Sequence, residues 1–324
     1  HSGLVVDGTM NEQTVLKTNI YGASDSNITL RNKANMLVEA DEDINIGKKG
    51  EISLTIDNST FEANLEDSSI NFGGSINGLN TNTKNLALIA AKDINLDSVN
   101  NVAISTKSEN VNLNNTLTNT IWQVTAENIN ILNDSYLSSN GTNTLIYNEG
   151  LLNLSNNKAS DINLKSMTLN SDMAVNIDVD LGKMQSDKFV FGNSADLITN
   201  DNDLSIENVN LLNSDLIFTD ENYLIPFISS DYNNTAFLGH VDFEDTKNLM
   251  TPIFKYNFGY NETATQGNWV LSRGSSSDYK SYNPSALAGP VAAQVGGYLT
   301  QLNSYDEAFY NMDMYMLMTR EQRQ

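Results

Sequence analysis

The chain of 324 residues has no cysteine, four prolines, two histidines and two tryptophans. Without cysteine there is no disulfide framework, no thiolate metal site and no cysteine nucleophile. With two histidines, one of them at position 1, a histidine-based triad or zinc centre is almost excluded. Positive charge is scarce as well: 18 Lys and Arg stand against 40 Asp and Glu, a formal net charge of -22. Nucleic acids and anionic lipids are read by Lys and Arg, so no nucleic-acid or broad membrane contact is expected. No run of eighteen apolar residues occurs, so no segment reads as a membrane-spanning helix. The opening His1-Ser2-Gly3-Leu4-Val5-Val6-Asp7-Gly8 lacks the basic region and apolar core of a signal peptide, as a fragment starting inside a longer precursor would.

What the chain does have is asparagine, 49 residues of it, with many Ser, Thr and Asp beside it. Polarity of this degree can signal disorder, but disordered chains are rich in proline and poor in β-branched residues. Here all four prolines lie beyond residue 225, and Ile, Leu and Val are spread evenly through the polar background. The composition therefore reads as ordered.

From residue 1 to about 200 the chain is built of short alternating segments such as Asn27-Ile28-Thr29-Leu30, Ile52-Ser53-Leu54-Thr55-Ile56 and Leu86-Ala87-Leu88-Ile89. Apolar residues at i and i+2 give a strand with one buried face, and no stretch here holds helical spacing. An element of Ile or Val, then Asn, then a large hydrophobe returns at 44, 70, 94, 111, 129 and 162, a degenerate repeat near 20 residues. Periods of this kind point to stacked repeats. The expected fold class is all-β: a right-handed parallel β-helix of about ten coils, each rising roughly 4.8 Å. Asn tolerates the left-handed backbone of tight corners and can form ladders between coils, whereas proline removes a ladder donor. An ordinary β-sandwich is the alternative.

The texture changes at 201–273, where aromatics and longer strands appear, as in Tyr223-Leu224-Ile225-Pro226-Phe227-Ile228. This segment reads as a C-terminal β cap, which a stack of coils needs to cover its last open edge. Residues 274–284 read as a linker within a final unit, 274–324. There Leu287, Val291, Val295, Leu299, Leu302, Tyr305, Phe309, Met312 and Met316 recur at spacings of three and four, predicting an amphipathic helix weakened at Gly296-Gly297.

Three blocks carry a family resemblance. The first is Ser171-Asp172-Met173-Ala174-Val175-Asn176-Ile177-Asp178-Val179-Asp180-Leu181, followed by Ser186-Asp187-Lys188-Phe189. The second runs from Tyr256 to Gly267-Asn268-Trp269-Val270-Leu271-Ser272-Arg273, and the third from Asn283-Pro284 through Ala292-Ala293-Gln294 to Met312-Asp313-Met314. In this order they resemble the end of an autotransporter passenger of type V secretion: passenger strands, stable C-terminal core, and the helical linker before the translocator barrel. The resemblance spans about 150 residues, from 171 onward; the first 170 match only in style. It implies export to the bacterial surface, an outer-membrane barrel belonging to the same precursor, and a partner that is a surface protein or glycan. It also implies that the final helix threads the barrel, which does not occur within this sequence.

Few residues suggest chemistry. Asp178, Asp180 and Asp187 form the most obvious acidic set, with Asp178 and Asp180 on one strand face and Ile177, Val179 and Leu181 on the other. A solvated acidic face is the first reading. Calcium ligation is the second, although the glycine-rich nonapeptide of calcium-binding repeats is missing. Glycan cleavage would need clustered carboxylates with aromatic platforms or a basic residue, and residues 1–200 hold only one tryptophan, Trp122. His240 would be the base of a serine hydrolase, but no Gly-x-Ser-x-Gly accompanies it, so a structural role is expected, as it is for Trp269 in the cap core. Helical packing is the expectation for Met312, Met314, Met316 and Met318. The reading is accordingly non-enzymatic, without a cofactor and with no catalytic residue. An adhesin or extracellular scaffold comes first; a glycan-active enzyme and a self-associating filament are the alternatives.

Overall fold

The computed structural model describes residues 2–7, 13–17, 26–39, 43–46, 52–57, 59–78, 84–132, 142–213, 220–230, 239–243, 247–250, 253–262, 266–274 and 283, with 301, 304, 305 and 307. Strand makes up about 70% of these, and the fold is all-β with parallel sheets. Among the described residues helical conformation is confined to Gln301, Ser304, Tyr305 and Glu307. The rest of the expected terminal helix, including Met312 to Met318, lies outside the described residues, as does most of the expected linker, and no helical linker forms part of the described architecture.

Parallel pairing follows the sequence in three columns. In the first, Leu4 pairs with Ile28, Ile28 with Leu54, Leu54 with Ile76, Ile76 with Val99 and Val99 with Leu117. In the second, Met36 pairs with Phe61, Phe61 with Leu86, Leu86 with Ile104, Ile104 with Trp122, Trp122 with Leu145 and Leu145 with Met167. The third runs Ile44, Ile70, Ile94, Val111, Ile129, Leu152, Val175 and Ile206. From Ile28 onward the residues named in all three columns are buried, so each column turns one apolar row into a common core. The alternation of the sequence thus becomes a line of like side chains along the stack.

The column of Asn-centred repeats differs from expectation at one place. Ile162-Asn163-Leu164 does not continue it; Leu152-Asn153 and Val175-Asn176 do. Among the described residues the first column stops at Leu117–Thr118, and the strand that carries Met167 of the second column pairs through Ile162 with Phe189, which in turn pairs with Ile228. Leu117, Ile162, Leu164 and Phe189 line one apolar cavity with Trp122 and Leu145 where the walls change over.

Corners follow the asparagines. Six of the nine described non-glycine residues with positive φ are Asn: Asn32, Asn101, Asn119, Asn157, Asn200 and Asn213. Gly150, at φ 127°, sits inside the Asn143–Asn153 strand at a register shift, where a Cβ would overlap the Ala126 carbonyl.

Parallel pairing extends past residue 200, with Leu204 opposite Val241. Antiparallel pairing then takes over: Asn222–Ser230 and Lys255–Glu262 both pair with Gln266–Ser272, and Lys247–Met250 pairs with Lys255–Glu262. Inside these hairpins Trp269 is fully buried, with Phe227, Phe243, Phe258 and Tyr260 ring centroids 4.9, 5.0, 5.2 and 5.7 Å away. Arg273 lies 4.1 Å over the Phe254 ring and donates from Nε to the Tyr256 hydroxyl, packing one end of the cluster.

Candidate functional site

The most regular polar feature is an asparagine ladder on the outer side of the third column. Ile44 and Ile46 are buried, so Asn45 between them points outward, and the pattern repeats at Asn71 and Asn95. The Nδ2 amide of Asn71 donates to Oδ1 of Asn45 at 2.9 Å, Asn95 to Asn71 at 2.6 Å, and Asn112 to Asn95 at 2.8 Å. Asn130 donates to Asn112 at 2.9 Å and Asn153 to Asn130 at 3.3 Å. Backbone register brings Asn176 and Asn208 onto the same row. All five bonds point the same way along the stack. Each interior amide spends one N–H and one oxygen lone pair on its neighbours, leaving one of each for an outside partner.

A second outward row lies on the first column: Thr29, Thr55, Asn77, Asn100 and Thr118. Asn100 donates to Asn77 at 3.0 Å. From Thr29 and Asn45 onward neither row contains a charged, aliphatic or aromatic residue; the register position before Thr29 is Val5.

The acidic set is not a solvated face. Asp178 and Asp187 are 0% exposed and Asp180 is 4% exposed, because the 156–160 and 182–187 segments fold onto them and Asn210 and Asn213 reach across from the neighbouring strand. Their oxygens are occupied by N–H donors. Asp178 Oδ2 accepts from the backbone of Asn156 and Lys158 at 2.8 and 2.9 Å, and its Oδ1 accepts from Asn210 Nδ2 at 2.6 Å. Asp187 accepts from the backbone of Ser160 at 3.0 Å and of Asp178 at 2.7 Å. Asp180 Oδ1 accepts from Gly182, Lys183 and Asn213 Nδ2, while Lys183 Nζ lies 3.2 Å from Oδ2. Burial pushes the Asp180 carboxyl up, but the Asn213, Lys183 and Gly182 donors outweigh it and hold it below the usual carboxylate range. The three acids are internal caps for loop N–H groups. Sequence alternation alone assigned two of them to the water side, since it does not reveal that the 156–158 segment and the 182–183 turn fold onto them. Among the described residues no group of three or more His, Asp and Glu is arranged to hold a metal ion.

His240 is half-buried where the last parallel strand docks. Its Nδ1 lies 2.8 Å from Asp203 Oδ1, and its backbone oxygen accepts from Leu204 N at 2.7 Å. Those partners tie the 239–242 segment to the strand that begins at Leu204. The chain matches no family model, no curated protein and no solved structure.

Proposed function

We propose that this chain is a surface-exposed or secreted autotransporter passenger: a right-handed parallel β-helix, closed by a C-terminal β cap and followed by a helical linker. It acts as a non-enzymatic adhesin or extracellular scaffold, exported through the outer membrane by a barrel of the same precursor. The observation that carries this reading is the parallel register from Leu4 to Val241, with antiparallel hairpins around a buried Trp269 at its C-terminal end. That order, stack then cap, is the order of the resembling sequence blocks. A stack with mutually hydrogen-bonded polar rows presents long uncharged rows suited to many weak contacts in parallel. The engagement of Asp178, Asp180 and Asp187 by N–H donors favours a structural over a catalytic role for the main acidic set.

The test is surface display. Protease added to intact cells that express the natural precursor is expected to degrade this segment while a periplasmic marker survives. Beads coated with the purified chain are expected to adhere to cells or to matrix. Protection until lysis, or inert beads, would overturn the reading.

A further inference from the structure

The two outward rows, Asn45 to Asn208 and Thr29 to Thr118, select among partners by their chemistry. Their side chains are amides and hydroxyls without charge, on a chain of net charge -22. Within the rows themselves an ionic partner finds no counter-charge, although charges such as Asp43, Asp93 and Arg31 stand two residues from Asn45, Asn95 and Thr29. An acidic polymer is repelled by the molecule as a whole. An apolar ligand or lipid surface finds no apolar patch on either row. A compact ligand would use only one or two of the rungs, whereas the amide row repeats over eight, spanning about 34 Å at the strand spacing. The rows are also preordered: the Asn amides are held by their neighbours, and Thr is stiff at its first torsion. Little side-chain freedom is then lost when a partner settles on them.

An extended, uncharged polymer rich in hydroxyl groups meets all of these conditions. We infer that the outer faces of the first and third columns bind a neutral polysaccharide chain lying along the stack. Each rung offers one N–H and one oxygen, or one hydroxyl, to the sugar hydroxyls. Affinity accumulates from weak contacts in series. This deepens the adhesin reading by naming the partner class, and rests on it.

The experiment is affinity electrophoresis of the whole chain in gels containing dextran, galactomannan or amylose, with alginate and polygalacturonate as acidic comparisons. Retardation is expected in at least one neutral gel, and it is expected to persist from low to high salt because no ion pairs are involved. Two double variants, Thr55→Glu/Asn100→Glu and Thr55→Arg/Asn100→Arg, place charges two rungs apart on the first column. Both are expected to weaken binding by at least about tenfold, while Glu62→Gln and Lys107→Gln on the second column leave it unchanged. Circular dichroism and the denaturation midpoint check each fold. If a double variant misfolds, Thr118→Glu at the exposed end of the row replaces it. Binding to acidic polysaccharides only, no binding to any neutral one, or binding untouched by folded variants overturns the inference. So does a change of oligomeric state in the variants without a change in glycan binding, which would mark the face as a contact between copies. Bead adhesion to glycan-free surfaces, together with no glycan binding, would sink this inference and leave the passenger reading standing.

Discussion

Replacing Asp178 separates three accounts of the acidic set. Its two oxygens take three N–H donors, at 2.8, 2.9 and 2.6 Å, in a fully buried position. A hydrogen bond to a charged group contributes about 1.5–3 kcal/mol and a neutral one about 0.5–1.5 kcal/mol. Asp178→Asn keeps the shape: its amide oxygen can still face Asn156 and Lys158, and Asn210 can turn its own oxygen toward the new NH2 group. The change then removes charge assistance alone, an expected loss of about 1–2 kcal/mol. Asp178→Ala leaves two backbone N–H groups and the Asn210 amide without an acceptor, and the expected loss is about 2–4 kcal/mol. Urea denaturation reads both as midpoint shifts at constant slope. A loss below about 0.5 kcal/mol for the alanine variant would mean that the carboxylate is solvated, refuting the capping argument. Calcium that raises the wild-type midpoint, with the effect gone in Asp178→Asn, would instead mean that these oxygens hold a cation.

Three further outcomes are expected. Asp180 has a depressed pKa in the folded protein, so its contribution is present above the unfolded carboxyl range and lost as pH falls through the folded value. The midpoint difference between wild type and Asp180→Asn should therefore be constant near neutrality and shrink toward zero below about pH 4; a difference that grows on acidification would contradict it. Trp269→Ala should cost about 3–5 kcal/mol in denaturant titrations, since the indole is fully buried among four rings; a cost under 1 kcal/mol would show that the cluster is loosely packed. Tyr260→Phe is expected to be neutral or to stabilise by about 1 kcal/mol, because its buried hydroxyl has no hydrogen-bond partner among the described residues; a marked loss of thermal stability would reveal a partner for that group.

Much of the local structure follows from the sequence alone. Alternation of Ile, Leu and Val with polar residues dictates short strands with one buried side, and the positions of Asn predict both left-handed corners and ladders. Asn71, Asn95, Asn112 and Asn130 meet that expectation, as do Asn101 and Asn119 at a corner. Local pattern also placed Trp269 in a cap core. Which strand lies over which was decided by tertiary packing. Ile162-Asn163-Leu164 carries the same local pattern as Leu152-Asn153-Leu154, yet only the latter continues the Asn row, because Ile162 takes Phe189 as its neighbour. Period-two alternation specifies a face and leaves the partner open. The same limit explains Asp178 and Asp180. Their side of the strand reads as solvent from the sequence, and it is buried because the 156–158 segment and the 182–183 turn fold onto it while the neighbouring strand supplies Asn210 and Asn213. Those donors are 32 and 33 residues away in the chain. No local rule reaches that far, since only a folded stack brings such groups within hydrogen-bond range.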